Sequence, residues 1–112
     1  MQVSGTSDLR TALERALPPS LHLALHQAIA IISDLGIPAY LVGGPVRDLL
    51  LGRPVEDLDL VVEGDALAVA DRFASLTGAS LTRHEAFRTA KVPIDDGDRP
   101  RHLDFVTARD ER

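Results

Sequence analysis

Residues 41–62 read Leu-Val-Gly-Gly-Pro-Val-Arg-Asp-Leu-Leu-Leu-Gly-Arg-Pro-Val-Glu-Asp-Leu-Asp-Leu-Val-Val. Two apolar, extended segments flank a turn and a short helix here. Residues 39–42 have the length and apolar character of a short buried strand, and Gly43-Gly44 ends it with a turn free of side-chain bulk, where backbone can approach a ligand closely. Pro45 stands where a first helical residue would, with φ already suited to a helix and no amide proton to leave unpaired. Gly52 supplies a left-handed stop after Leu49, Leu50 and Leu51. From residue 57 the period changes to two. Side chains two apart on a strand point to one face, so Asp57 and Asp59 project together while Leu58 and Leu60 turn into a core.

Outward from this stretch, periodicity and punctuation give the remaining elements. Leu9 to Leu17 has apolar residues at helical spacing and is halted by Pro18-Pro19. Ser20 is placed to cap a longer helix running to about Leu35, ended by Gly36 and Pro38. A further helix is expected from about Ala66 to Leu76, capped by Asp65 and stopped by Gly78. Strands are expected at about 39–42, 57–62, 79–83, 87–94 and 101–107. The turn-rich link Asp95-Asp96-Gly97-Asp98-Arg99-Pro100 makes the last two an antiparallel hairpin. The expectation is an α+β fold with a sheet of about five strands and flanking helices.

The 112 residues, 45% hydrophobic, suffice for one compact core. With no cysteine there is neither a disulfide framework nor thiolate chemistry. No apolar run is long enough to span a bilayer, and the N-terminus lacks the basic and apolar regions of a secretion signal, so a soluble cytoplasmic protein with no membrane partner is expected. The net charge of −5 resides in residues 1–80, with five Lys/Arg against ten Asp/Glu, whereas residues 81–112 hold seven of each. Grip on a polyanion normally shows as clustered Lys and Arg. Arg83, Arg88, Lys91, Arg99, Arg101 and Arg109 would gather only if their strands pair suitably, and the interleaved acids favour a solvated face. One Tyr, three Phe and no Trp argue against a base-stacking platform.

The carboxylates carry the chemistry. Two like charges on one strand face repel, so Asp57 and Asp59 are easiest to place at an exposed strand end or with a divalent cation between them. Hard oxygen ligands suit magnesium or manganese. Asp-x-Asp alone is common, and a plain alternative has Asp57 starting the strand and Asp59 in water. Upstream, free amides at the helix start and the positive end of its dipole form an anion site. Arg47 falls in that first turn, where a cation needs a negative neighbour: Asp48, Glu56, Asp57 or a triphosphate. Asp104 lies in the β-rich run Leu103-Asp104-Phe105-Val106-Thr107, where a buried acid is costly unless compensated. Three carboxylates around metal would compensate it, and a solvated sheet face would avoid the cost. Arg53, Lys91 and Arg109 reach either phosphate or water. His22 and His26, four apart on a helix, lack a third ligand nearby and read as a surface or core-edge pair.

The stretch 42–53, Val-Gly-Gly-Pro-Val-Arg-Asp-Leu-Leu-Leu-Gly-Arg, followed by Asp-Leu-Asp-Leu-Val, resembles the head domain of class II tRNA nucleotidyltransferases (CCA-adding enzymes) and bacterial poly(A) polymerases, in the DNA polymerase beta superfamily. Residues 83–92 look like that family's segment around its mobile loop, with Arg88 where many members have glycine. Residues 103–109 look like the strand supplying its third acidic residue, often glutamate. The likeness covers roughly residues 25–112.

The resemblance implies a nucleotidyltransferase-like mixed sheet and a reaction in which an RNA 3′-hydroxyl attacks the α-phosphate of ATP or CTP while pyrophosphate leaves. It implies Asp57, Asp59 and Asp104 as catalytic residues and ligands of Mg2+ or Mn2+. It implies Gly43, Gly44, Arg47, Asp48 and Arg109 as nucleotide-binding residues, and tRNA or another RNA 3′ end as partner. Family members continue into helical neck and body regions carrying base-selecting motifs absent from this sequence. The expectation is therefore one catalytic head domain over 1–112, truncated before the neck and body, with 1–19 as an N-terminal extension or helix. The alternatives are a nucleotide-binding module without turnover and a minimal transferase acting on a protein. Relatives of the latter usually show Gly-Ser in place of Gly-Gly.

Overall fold

The computed structural model describes residues 15, 17–42, 47–48, 51–52, 57–95 and 100–108. Among these, the elements whose bounds are described follow the order α1 (Pro19–Leu35), β1 (Ala39–Leu41), β2 (Asp57–Val62), α2 (Ala66–Thr77), β3 (Thr82–His84), β4 (Thr89–Asp95) and β5 (Pro100–Thr107), with a 3₁₀ turn at Glu85–Phe87. The sheet order is β1-β2-β5-β4-β3. Its pairs are antiparallel except β2 with β5, which run parallel and make the sheet mixed.

Alternation along the two central strands decides which face is covered. Leu58, Leu60 and Val62 of β2 and Leu103 and Phe105 of β5 are fully buried. Leu21, Leu25, Ala28 and Ile32 of α1, three or four residues apart on one stripe, join them in a single core with Val69, Ala70 and Phe73 of α2. Phe73 and Phe105 meet with ring centroids 5.6 Å apart. Both helices thus lie on one side of the sheet, and the residues of opposite parity face outward.

Several boundaries differ from expectation for identifiable reasons. Ser20 does not cap α1: Pro19 takes the first helical position, and Pro18 precedes it without a side-chain cap. Gly36 and Gly78 end the helices in the left-handed conformation, and Asp65 caps α2 by accepting from the Leu67 amide at 3.1 Å, all as the sequence suggests. The strand expected at 79–83 is Thr82–His84, a short, fully exposed edge. The β4–β5 hairpin forms, with Asp95 opposite Pro100. The helix expected over 9–17 lies outside the described residues save Arg15 and Leu17, the latter buried in the core. No helix among the described residues is long and apolar enough to cross a membrane.

Candidate active site

The carboxylates meet because β2 and β5 run side by side in one direction. Asp59 is the register partner of Asp104, and Asp57 that of His102. Since their neighbours Leu58, Leu60, Leu103 and Phe105 are buried under the helices, these four polar residues share the open face. Lys91 of β4 pairs with Asp104 on its other side. One row across the sheet therefore reads Asp59, Asp104, Lys91, and the next reads Asp57, His102, Pro93.

Side-chain contacts tie the two rows together. Asp57 Oδ1 accepts from the His102 backbone amide at 3.1 Å. His102 Nδ1 donates to Asp104 Oδ1 at 3.1 Å, and His102 Nε2 lies 3.4 Å from Asp57 Oδ1. The Asp104 side chain is 23% exposed, against 48% for Asp57 at the strand start, so the deeper acid depends more on its neighbours. The Asp59 carboxyl is held above the ordinary carboxylate range. Its burial is the largest cause, followed by the charge of Asp104, the hydrogen bond shared with Asp104 and, more weakly, Asp57, while His102 acts in the opposite sense. Carboxylates on strands about 4.8 Å apart ionise together only at a cost, which a proton or a cation relieves.

Hard oxygen donors that repel one another suit magnesium or manganese, so the residues present fit such an ion in kind. As they stand, no three His, Cys, Asp or Glu side chains among the described residues form a ready metal cage. His102 lies between Asp57 and Asp104, and the rings of His22 and His26 meet at 5.2 Å, tilted by 46°, on α1, well apart in the sequence from these acids.

The glycine-flanked segment starts beside this cluster, because the Val42 amide donates to the Asp59 carbonyl at 3.3 Å. Arg47 and Asp48 are helical, the first exposed and the second half-buried, and the Leu51 amide donates to the Arg47 carbonyl at 3.0 Å. Gly52 has φ +69°, the left-handed stop the sequence suggests. Gly43, Gly44, Arg53 and Arg109 lie outside the described residues.

The described cations do not gather, and Arg99 lies outside the described residues. Arg83 points to the helical side, where it pairs with Asp71 of α2 and, at 3.5 Å, with Glu85. Arg101 shares the buried parity of β5, and Arg88 pairs with Asp65 at 2.9 Å beyond the far end of the sheet. Of the four, Lys91 alone stands on the open face. A groove between α1 and α2, lined by Gln27, Ile31, Asp34, Arg72 and Leu76, lies on the helical side and is spanned by the 2.6 Å Arg72–Asp34 pair.

His102 is the member of the cluster that sequence reasoning missed. Its signal was present: His102 and Asp104 repeat the two-residue spacing of Asp57 and Asp59. That spacing gains meaning only once β5 is set beside β2.

The family described as Poly A polymerase head domain matches residues 39–112. The A-adding tRNA nucleotidyltransferase of Halalkalibacterium halodurans is 43% identical over 91 residues, covering 80% of this chain and 21% of that protein. The CC-adding tRNA nucleotidyltransferase of Deinococcus radiodurans is 42% identical over 71 residues, covering 63% of this chain and 18% of that protein. Among solved structures, the Thermotoga maritima CCA-adding enzyme complexed with tRNA superposes with a TM-score of 0.78 at 33% identity, covering 92% of this chain and 24% of that one. A CCA-adding enzyme complexed with ATP gives 0.76 at 35% identity, with the same coverage. The chain thus spans about a quarter or less of the length of these relatives.

Proposed function

Because the chain belongs to the poly A polymerase head domain family, we propose that it is the catalytic head of a tRNA nucleotidyltransferase, transferring a nucleotide from ATP or CTP to an RNA 3′-hydroxyl. The observation that carries this reading is the register of Asp59 against Asp104, with Asp57 two residues before on the same open face. In the reaction the hydroxyl oxygen bonds to the α-phosphorus, the bond to the pyrophosphate oxygen breaks, and the hydroxyl proton is lost. Asp57, Asp59 and Asp104 would hold Mg2+ or Mn2+, which would supply neutralising charge to the phosphates and lower the pKa of the attacking hydroxyl. The half-buried position of Asp104 would limit the water competing for the ion. Gly43, Gly44, Arg47, Asp48 and Arg109 are the residues proposed to hold the nucleotide. Lys91, in register with Asp104, is placed to meet phosphate charge. The carboxylate site needs no side-chain nucleophile, in keeping with a chain without cysteine. The cytoplasm, where nucleoside triphosphates and tRNA are found together, is the proposed location.

Calorimetric titration with ATP and CTP tests the reading. Weak binding is expected with magnesium or manganese and loss of binding in EDTA. Equal affinity with and without the ion would remove metal from the mechanism. Binding without pyrophosphate release, in the presence of a tRNA lacking its terminal nucleotides, would favour a module without turnover.

A further inference from the structure

His102 touches two of the three acids and belongs to neither acidic motif. It pairs in register with Asp57, its backbone amide donates to Asp57 Oδ1 at 3.1 Å, and its ring spans from that same oxygen, 3.4 Å from Nε2, to Asp104 Oδ1, 3.1 Å from Nδ1. Its side chain is 32% exposed, so the ring lies partly covered between the two acids instead of extending into water. Asp104 is in turn the register partner of Asp59. One imidazole therefore connects the first acid of β2 to the acid of β5, across the seam where the two strands meet.

We propose that His102 is a positioning residue for the metal site: it fixes the rotamers of Asp57 and Asp104 so that their remaining oxygens are presented together with Asp59 to a divalent cation. This rests on the metal reading proposed above. A carboxylate on a strand is free to turn about two side-chain bonds, and each acid left loose must be ordered when the ion arrives. Hydrogen bonds that orient a ligating group typically account for ten- to hundred-fold in metal affinity. Among the described residues, the strand positions flanking the imidazole in these two rows hold the three acids, Lys91 and Pro93, and the ring contacts to Asp57 and Asp104 come from His102 itself.

The test uses the whole chain and Mn2+ alone, followed at fixed pH by the loss of the free-ion electron paramagnetic resonance signal. His102→Val suits a strand and keeps the backbone amide that donates to Asp57 but offers no side-chain hydrogen bond, and His102→Ala serves as a second variant without the ring. His102→Gln keeps a neutral donor at similar reach. Both the Val and Ala variants are expected to weaken Mn2+ binding roughly ten-fold or more, with unchanged circular dichroism in EDTA, and His102→Gln is expected to recover most of the loss. Mn2+ binding by the Val and Ala variants as tight as that of the parent chain, or tighter, would overturn the proposal; tighter binding would mark the ring as a competitor for the acids. Asp59→Asn separates the two readings. If it abolishes Mn2+ binding while the His102 variants bind normally, the positioning role alone is refuted. If it leaves Mn2+ binding unchanged, the metal reading falls and the positioning role with it.

Discussion

Asp59 has an environment that resists its own ionisation, through burial and the facing Asp104. With its folded-state pKa above the ordinary carboxylate value, the folded chain retains a proton there that the unfolded chain has already released. Stability in EDTA therefore falls as pH rises from the ordinary carboxylate range through the raised value, and the penalty persists above it. Asp59→Asn removes this penalty. Thermal melts between about pH 4 and pH 7 are expected to show a flatter dependence and a melting temperature higher by a few degrees at neutral pH. A lower melting temperature would make Asp59 a structural residue. Arg88 is a second unusual position: it is the non-glycine residue with positive φ, +53°, among those described. The Thr107 hydroxyl donates to its carbonyl at 3.0 Å, and its side chain pairs with Asp65 at 2.9 Å, so local contacts offset the left-handed backbone. Arg88→Gly relieves the backbone cost, about 1–2 kcal/mol, but loses an exposed ion pair and adds unfolded-state freedom. It is expected to change stability by less than about 1 kcal/mol, whereas the β-branched Arg88→Val should lose about 1–2 kcal/mol. Urea unfolding measures both.

Thr107 shows how elements are joined. Its hydroxyl accepts from the Ala66 amide at 3.0 Å, the first residue of α2, and donates to the carbonyl of Arg88. One side chain at the end of β5 thus links the start of a helix to the turn before β4. Ala66 is fully buried, so Thr107→Val strands an amide out of reach of water and is expected to cost about 1–3 kcal/mol in urea unfolding, with unchanged m. Thr107→Ser should retain most of that stability, and equal stability of the Val variant would show that the helix start is satisfied elsewhere. The elements themselves were legible to different depths. β2 and β5 were read nearly to their ends because one face of each is buried and the alternation is strict. β3 was misplaced because Thr82, Arg83 and His84 are all exposed and carry no apolar period; pairing with β4 alone makes them a strand. The cap of α1 was misread because Ser20 looks like a cap by type, while the fixed φ of Pro19 already starts the helix one residue earlier.

At the scale of the molecule, the acids were legible from the local pattern, whereas their meeting was expected from the family resemblance alone. Alternation placed Asp57 with Asp59, and Asp104 on one face of its own strand, yet nothing local sets β5 parallel to β2, so the role of His102 stayed hidden. On the open face Tyr40 stands one row from the acids, opposite Val61, with its hydroxyl turned to Glu63 at 3.5 Å. The described positions of the acids' own rows hold no Phe, Tyr or Trp, and choice among bases is expected to be poor in this chain alone. Single-nucleotide extension of a tRNA without its 3′ end, with each triphosphate supplied separately, should show slow and unselective incorporation. Fusion to the remaining portion of the Halalkalibacterium halodurans relative should raise both rate and selectivity, and efficient ordered addition of C, C and A by the 112 residues alone would refute this. The β2–β5 pairing, which joins residues 45 apart, also has a history in time. At about 5–20 residues per second, a ribosome releases Asp57 roughly 2–9 seconds before His102. Throughout that interval β2 has an open edge and an apolar face without its central neighbour, and no ion or nucleotide can steady it, since half of the site is still unsynthesised. The nascent chain is most exposed to aggregation in this window, and the step that closes the sheet is the one that creates the site.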